Sequence, residues 1–248
     1  MEYWPLLLFS ILIVSFAYFV KGFSGFGPAL ILIPLFSILY DPQTAISVSA
    51  LFDIFAGLIL FFFIRNRIDW KNVWPVVLAL FAGAYGGGFF LSVAPTATLK
   101  VIMAFLLLIF IALLLLEPEQ WMTGKQVRNI AVYDYKLILI SMLSGFIGGL
   151  IGISGPLLVI YMKWRHHKTY FRNQLITIFF LGAVWRFAVY RVHNIQLNLS
   201  FSTIAVLLLT MAIALFIGQH FHKQVDEKKF NRMIAILLII PVINLILF

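Results

Sequence analysis

The stretch Lys21–Pro28, KGFSGFGP, interrupts a hydrophobic segment where a membrane-spanning helix would otherwise continue. The apolar run PLLLFSILIVSFAYFV precedes it, and ALILIPLFSIL follows it. Three glycines and a proline let the backbone bend, while a lysine buried in lipid is costly and marks a place where function is expected. The stretch therefore predicts a broken helix whose ends face a binding site.

The composition is that of a membrane protein. Of 248 residues, 63% are hydrophobic and 11% are charged, and the mean hydropathy is +1.05. A soluble domain of this length cannot hide so much apolar surface, so most of the exterior must contact the lipid bilayer. The absence of cysteine excludes disulfides and thiolate metal sites. A nucleic-acid partner is not expected despite the net charge of +9, because the basic residues lie in short loops between apolar segments.

Every spanning segment must satisfy its own backbone hydrogen bonds in lipid, so the apolar runs are predicted to be helices. Glycines interrupt two regions, Trp4–Leu39 and Leu137–Met162. Each region is predicted to be a re-entrant hairpin. The alternative is that each forms two full transmembrane helices, which would leave the orientation of the other spans unchanged. Six uninterrupted runs approach the ~20 residues that cross a bilayer. These predicted spans are Thr44–Ile64, Trp70–Leu91, Thr98–Leu116, Asn173–Tyr190, Leu199–Gln219 and Lys229–Phe248.

The basic residues predict the orientation. Cytoplasmic loops of membrane proteins carry excess Lys and Arg, and four loops here hold fourteen of the 18. Placing these four loops inside puts both termini outside and makes the linker 117–136 cytoplasmic. The loop residues are Arg65, Arg67 and Lys71; Lys125, Arg128 and Lys136; Lys163, Arg165, Lys168 and Arg172; and Lys223, Lys228, Lys229 and Arg232.

The two halves of the chain are related by a shift of 128 residues. The shift places Gly27-Pro28 on Gly155-Pro156, and it places inner loops of one half on outer loops of the other. We therefore predict two inverted-topology repeats, 1–116 and 137–248, joined by the linker 117–136. Each repeat comprises a broken hairpin and three transmembrane helices. Such repeats are typical of transporters, with the substrate at the midplane.

The broken hairpins predict an anion site. The second arm of each begins at a Gly-Pro pair, and a helix that starts inside a membrane presents unsatisfied N–H groups and the positive end of its dipole. Paired N-termini of this kind would hold a small anion. Close packing of helices through small residues is the alternative role of the glycines. The predicted substrate-binding residues are Lys21, Ser24, Gly25, Phe26, Gly27, Gly152, Ser154, Gly155 and Arg186.

At these motifs the sequence resembles the TauE/SafE sulfite exporter family. The resemblance rests on four stretches of sequence. They are GFSGFGPALILIPLF at 22–36, RNRIDW at 65–70, GFIGGLIGISGPLLVIY at 145–161, and FRNQL at 171–175 followed by WRFAVY at 185–190. It covers nearly the whole chain. It implies transport of a small sulfur-containing anion such as sulfite, sulfoacetate or another organosulfonate across a bacterial inner membrane.

Three polar positions within or at the ends of the spans have more than one interpretation. Asp53 is a partner for Lys21, a proton carrier for coupling, or half of a structural salt bridge. Arg186 either binds the anion or extends to the outer headgroups. Asn173 and Gln174 either line an inner vestibule or cap a helix.

The chain shows no catalytic constellation, so no enzymatic activity, cofactor or metal is expected. The predicted function is a secondary transporter that exports its anion by alternating access. The alternatives are an anion channel and a proton-coupled importer of a sulfur oxyanion such as thiosulfate. Whether the protein forms a homodimer is left open by the sequence.

Overall fold

The computed structural model describes residues 3–24, 27–65, 68–115, 135–163, 168–220 and 242–243. Within these ranges the regular structure is helical and contains no strand. This confirms the all-α polytopic fold, since a helix satisfies its backbone hydrogen bonds within lipid. The helices are α1 (Tyr3–Ser24), α2 (Pro28–Leu39), α3 (Pro42–Ile64), α4 (Trp70–Val93), α5 (Thr96–Leu115), α6 (Tyr135–Ile151), α7 (Gly155–Lys163), α8 (Lys168–Val192) and α9 (Phe201–His220).

Five of the described helices, α1, α3, α4, α8 and α9, contain stretches long and apolar enough to cross a membrane. The ends of α3, α4, α5 and α9 lie within two residues of the predicted spans. Helix α8 begins at Lys168, five residues before the predicted start at Asn173. The predicted span Lys229–Phe248 lies outside the described residues apart from 242–243, and so does the linker 117–136 apart from its last two residues.

Both predicted hairpins are broken, and in each the second arm is the shorter. Helix α2 has 12 residues and α7 has 9, which correspond to about 18 Å and about 14 Å at the rise of an α-helix. Neither length crosses a hydrocarbon core of about 30 Å. The first arms are longer, 22 residues in α1 and 17 in α6. Helix α1 is therefore long enough to span the bilayer, whereas α2 is not.

The helices group into two compact units. The first unit comprises the described residues within 1–52, 94–116 and 195–248. In it, α1 packs on α2 and, more extensively, on α9. The α1–α9 contact is a backbone contact: a methyl group at Gly22 would collide with the carbonyl oxygen of Leu215, and one at Gly218 would collide with that of Phe19. Glycine thus allows the two helices to approach closely.

The second unit comprises the described residues within 53–93 and 117–194. Its most extensive helix pair is α4 with α6, and α8 packs on α4 and α7. Here too the backbones touch, because a methyl group at Gly83, Gly87, Gly145 or Gly149 would collide with a carbonyl oxygen of the facing helix. The small-xxx-small spacing of these glycines matches this packing.

Each unit draws its helices from both halves of the sequence. In the first unit, a hairpin from the first half packs on α9 from the second half; in the second unit, the hairpin α6–α7 packs on α4 from the first half. The boundary between the units falls inside α3, between Phe52 and Asp53.

Candidate functional site

The break between α6 and α7 in the second unit consists of Gly152, Ile153 and Ser154. Gly152 has a φ of 77°, the left-handed region that a residue with a side chain adopts only with strain. Its N–H donates to the carbonyl oxygen of Gly148 at 2.9 Å, which closes the last turn of α6. Glycine at this position is therefore the helix terminator that lets the chain reverse before α7.

Two side chains of α8 bind the C-terminal end of α6. Arg186 Nη1 donates to the carbonyl oxygen of Gly152 at 2.7 Å. One turn further along α8, the Tyr190 hydroxyl lies 3.1 and 3.0 Å from the carbonyl oxygens of Gly148 and Gly149, and its one proton is shared between them. The last carbonyls of a helix carry the negative end of its dipole, and most of them lack partners within the helix, although that of Gly148 also accepts the Gly152 N–H. Arg186 and Tyr190 therefore supply hydrogen-bond donors to the C-terminal end of α6.

Arg186 also forms an ion pair with Asp53 of α3. Its Nη2 lies 3.3 Å from Asp53 Oδ2, and both side chains are buried. Each charge compensates the other, which reduces the cost of burying them, since a single unpaired charge inside the protein would be unfavourable. An ion pair of Asp53 with a basic residue, Arg186, is therefore present, while its pairing with Lys21 and its role as a proton carrier stay predictions. Arg186 itself lies inside the unit and does not extend to the headgroups.

The remaining predicted residues of this tip are held close to the same break. The hydroxyl of Ser144 in α6 donates to the backbone oxygen of Ser154. A methyl group at Gly148 would lie 2.5 Å from Ser154 Cβ, so the missing side chain of Gly148 makes room for Ser154. Gly155 is the first residue of α7, and its first turn contains no acidic residue.

The corresponding break in the first unit is described only from Gly27 onward. Gly27, with a φ of 88°, is the N-cap of α2, and Pro28 occupies the first helical turn. No side chain caps this helix start, and its first turn contains no acidic residue. Lys21, in the last turn of α1, is 6% exposed, with its Nζ 5.7 Å from the centre of the Tyr18 ring.

The other predicted residues of this tip are only partly described. Ser24 is the last residue of α1, and its side chain is not described. Gly25 and Phe26 lie outside the described residues.

The profile of the family Sulfite exporter TauE/SafE matches residues 10–245 of the chain. The chain belongs to this family. TauE/SafE proteins are membrane transporters, which agrees with the multi-pass helical architecture. No curated protein and no solved structure matches the chain.

In this TauE/SafE chain, Asn173 and Gln174 are buried and lie within α8. They do not cap the helix, because α8 begins five residues earlier, at Lys168. Gln174 Oε1 accepts a long hydrogen bond of 3.4 Å from the backbone N–H of Asp69, while its buried Nε2 has no acceptor in the part of the chain that the structure describes. A buried amide donor without a partner is unusual, so the vestibule interpretation stays a prediction for these two residues.

Tyr190 and Ser144 contribute to this tip but are absent from the predicted site. A sequence signal existed for Tyr190, because it follows Arg186 by four residues and so shares its face of a helix. No local signal identifies Ser144, since a serine in a membrane helix ordinarily donates to its own backbone. Its partner lies ten residues away, across the break.

Proposed function

We propose that this TauE/SafE protein exports a small sulfur-containing anion, such as sulfite, sulfoacetate or another organosulfonate, by alternating access. Within each unit, the start of its own half-helix, α2 in the first and α7 in the second, is the place that would hold an anion, near the midplane of the bilayer. The observation that carries the proposal is the family match over residues 10–245. The broken hairpins support it, since interrupted helices at membrane depth are found where a protein binds a substrate.

The chemistry of the two helix starts supports an anion as the substrate. A helix N-terminus carries unsatisfied N–H groups and a partial positive charge. Neither α2 nor α7 has an acidic residue in its first turn, and no side chain caps the start of α2. An anion would satisfy these groups. The buried cations Lys21 in one unit and Arg186 in the other favour the same sign of charge in the ligand.

The pairing of helices within each unit supports the inverted repeat. The shift of 128 residues relates α1 to α6 and α4 to α9. In the first unit α1 packs on α9 through glycine, and in the second unit α6 packs on α4 through glycine. The same pair of related helices is thus the most extensive contact in each unit. This pattern is expected if the hairpin of each repeat packs on the corresponding helix, α9 or α4, of the other repeat.

The membrane potential supports export as the direction. A negative interior drives anions outward by about 2.3 kcal/mol per charge per 100 mV. A dianion then leaves without a coupling ion, whereas uptake requires one.

Ligand binding tests the substrate class. Purified protein in nanodiscs is titrated calorimetrically with sulfite, sulfoacetate, thiosulfate, sulfate and taurine. We expect saturable binding of sulfite or a sulfonate, and weaker binding of taurine, whose ammonium group is repelled by a positive site. Binding of none of these compounds would rule out the proposed substrate class.

The orientation of the chain is a separate proposal with its own test. Both termini lie outside, and the linker 117–136 is cytoplasmic. Because the chain has no cysteine, single cysteines introduced as Glu2→Cys and Thr123→Cys are labelled without background. In intact cells, a membrane-impermeant maleimide should modify the first and not the second. Labelling of both from the same side would contradict the inverted repeat.

A proton-coupled importer is the second candidate, favoured by one observation. Asp53 is a buried carboxylate at the hairpin tip of the second unit, where a proton carrier would be placed. Thiosulfate bound more tightly than sulfite, with transport that requires an inward proton gradient, would favour import over export.

A further inference from the structure

The guanidinium of Arg186 is only partly used by the protein. Nη1 binds the carbonyl oxygen of Gly152 at 2.7 Å, a normal distance for a charge-assisted hydrogen bond. Nη2 meets Asp53 Oδ2 at 3.3 Å, which is long for such a bond. Nε is buried and has no acceptor among the described residues. The side chain is 6% exposed, so bulk water does not compensate for the missing partner.

The two underused nitrogens lie on the same edge of the guanidinium. The Nε–H and one Nη2–H point in parallel, and together they form the fork that binds two oxygens of a single carboxylate or phosphate group. Asp53 accepts only from the Nη2 end of this fork, and the Nε end has no acceptor among the described residues. A ligand with two oxygens on one central atom would fill both positions.

We propose that the Nε–Nη2 edge of Arg186 binds the oxyanion substrate in a bidentate manner, and that Asp53 is the resident carboxylate that the substrate displaces from Nη2. Sulfite, thiosulfate and sulfonates each offer two oxygens on sulfur. The proposal rests on the proposed function and adds the residues that recognise the ligand. Arg186 Nη1 stays on Gly152, so the guanidinium keeps its orientation while the fork exchanges partners.

Asp53 then has a defined role in the empty protein. It neutralises Arg186 when no anion is bound, and a buried arginine without a counter-ion is unfavourable. When the oxyanion arrives, the two negative groups compete for one cation. Asp53 therefore weakens anion binding, and its removal strengthens it.

Binding of sodium sulfite and of methanesulfonate to the full chain in nanodiscs tests both parts. Arg186→Lys keeps the charge and the donor for Gly152 but loses the fork, and affinity should fall about 30-fold or more. Asp53→Asn removes the competing charge, and affinity should rise about tenfold. The matched controls are Arg191→Lys, an exposed arginine on the same helix, and Asp41→Asn, an exposed aspartate just before α3. Both controls should stay within about twofold of the parent protein.

The outcomes separate this inference from the proposed function. Absence of binding by the parent protein would overturn both. Normal binding by Arg186→Lys would overturn the fork alone. A folded Asp53→Asn variant that binds as the parent does, or more weakly, would show that Asp53 is structural and does not compete. If Asp53→Asn does not fold, Asp53→Ser removes the same charge, and Arg186→Lys decides the fork independently.

Discussion

Gly87→Ala is expected to destabilise the second unit severely, whereas Gly86→Ala is expected to be tolerated. A methyl group at Gly87 would collide with the carbonyl oxygen of Phe146 and lie 2.8 Å from the backbone nitrogen of Leu150. Both obstacles are backbone atoms of α6, so relief requires the two helices to separate. Overpacking against side chains costs about 1–3 kcal/mol, and separation of two backbones should reach or exceed the top of that range.

Gly86 is the matched control because it precedes Gly87 on the same helix. A methyl group there would meet only ring atoms of Phe146, at 3.6 and 3.8 Å, which is ordinary van der Waals contact. The intrinsic helix propensity gained from glycine to alanine is the same at both positions. Thermal unfolding in detergent, followed by tryptophan fluorescence, compares the two variants. Equal melting temperatures would show that the α4–α6 interface is not closely packed.

Lys21→Met should weaken anion binding by about tenfold to a hundredfold, which corresponds to the loss of a partly desolvated charged contact. Lys21 is buried beside the first hairpin tip, three residues before α1 ends. Methionine preserves the length and apolar character of the side chain but removes its charge. Because a charge within lipid is unfavourable, the melting temperature without ligand should hold or rise. The stabilisation produced by added sulfite should shrink, since it follows occupancy.

Lys71→Met serves as the control for Lys21→Met. Lys71 is exposed in the first turn of α4, so its loss should change neither affinity nor stability appreciably. If Lys21→Met binds sulfite as the parent does and melts at a lower temperature, Lys21 has a structural role. Its position in the last turn of α1 then explains it, because a cation is favourable at the C-terminal end of a helix dipole.

The sequence predicted most helices well because lipid imposes a length and an apolar composition on each span. The start of α8 was misplaced for a physical reason. The residues at 168–172 include a lysine and an arginine, a composition that predicts a loop, yet the helix begins at Lys168, because a helix can continue beyond the apolar stretch that marks a span in the sequence. The shortness of α2 followed directly from the few apolar residues between Gly27 and Asp41.

The candidate site was less predictable because its contacts join distant parts of the chain. Asp53 and Arg186 are 133 positions apart, and no local pattern pairs them. The repeat alignment also does not identify which glycines take up the left-handed conformation. It places Gly27 on Gly155, but among the described residues of the second break the left-handed glycine is Gly152, which terminates α6, whereas Gly27 begins α2.

The transport of sulfite itself is the most direct test of the account. Purified protein is reconstituted into liposomes loaded with ³⁵S-sulfite at a series of internal concentrations, and efflux is followed into sulfite-free buffer. We expect efflux that saturates with internal sulfite, accelerates with an interior-negative potential and falls sharply in Arg186→Lys but not in Arg191→Lys. Efflux that rises without saturation would indicate a channel, and efflux no faster than from protein-free liposomes would contradict sulfite transport by this protein.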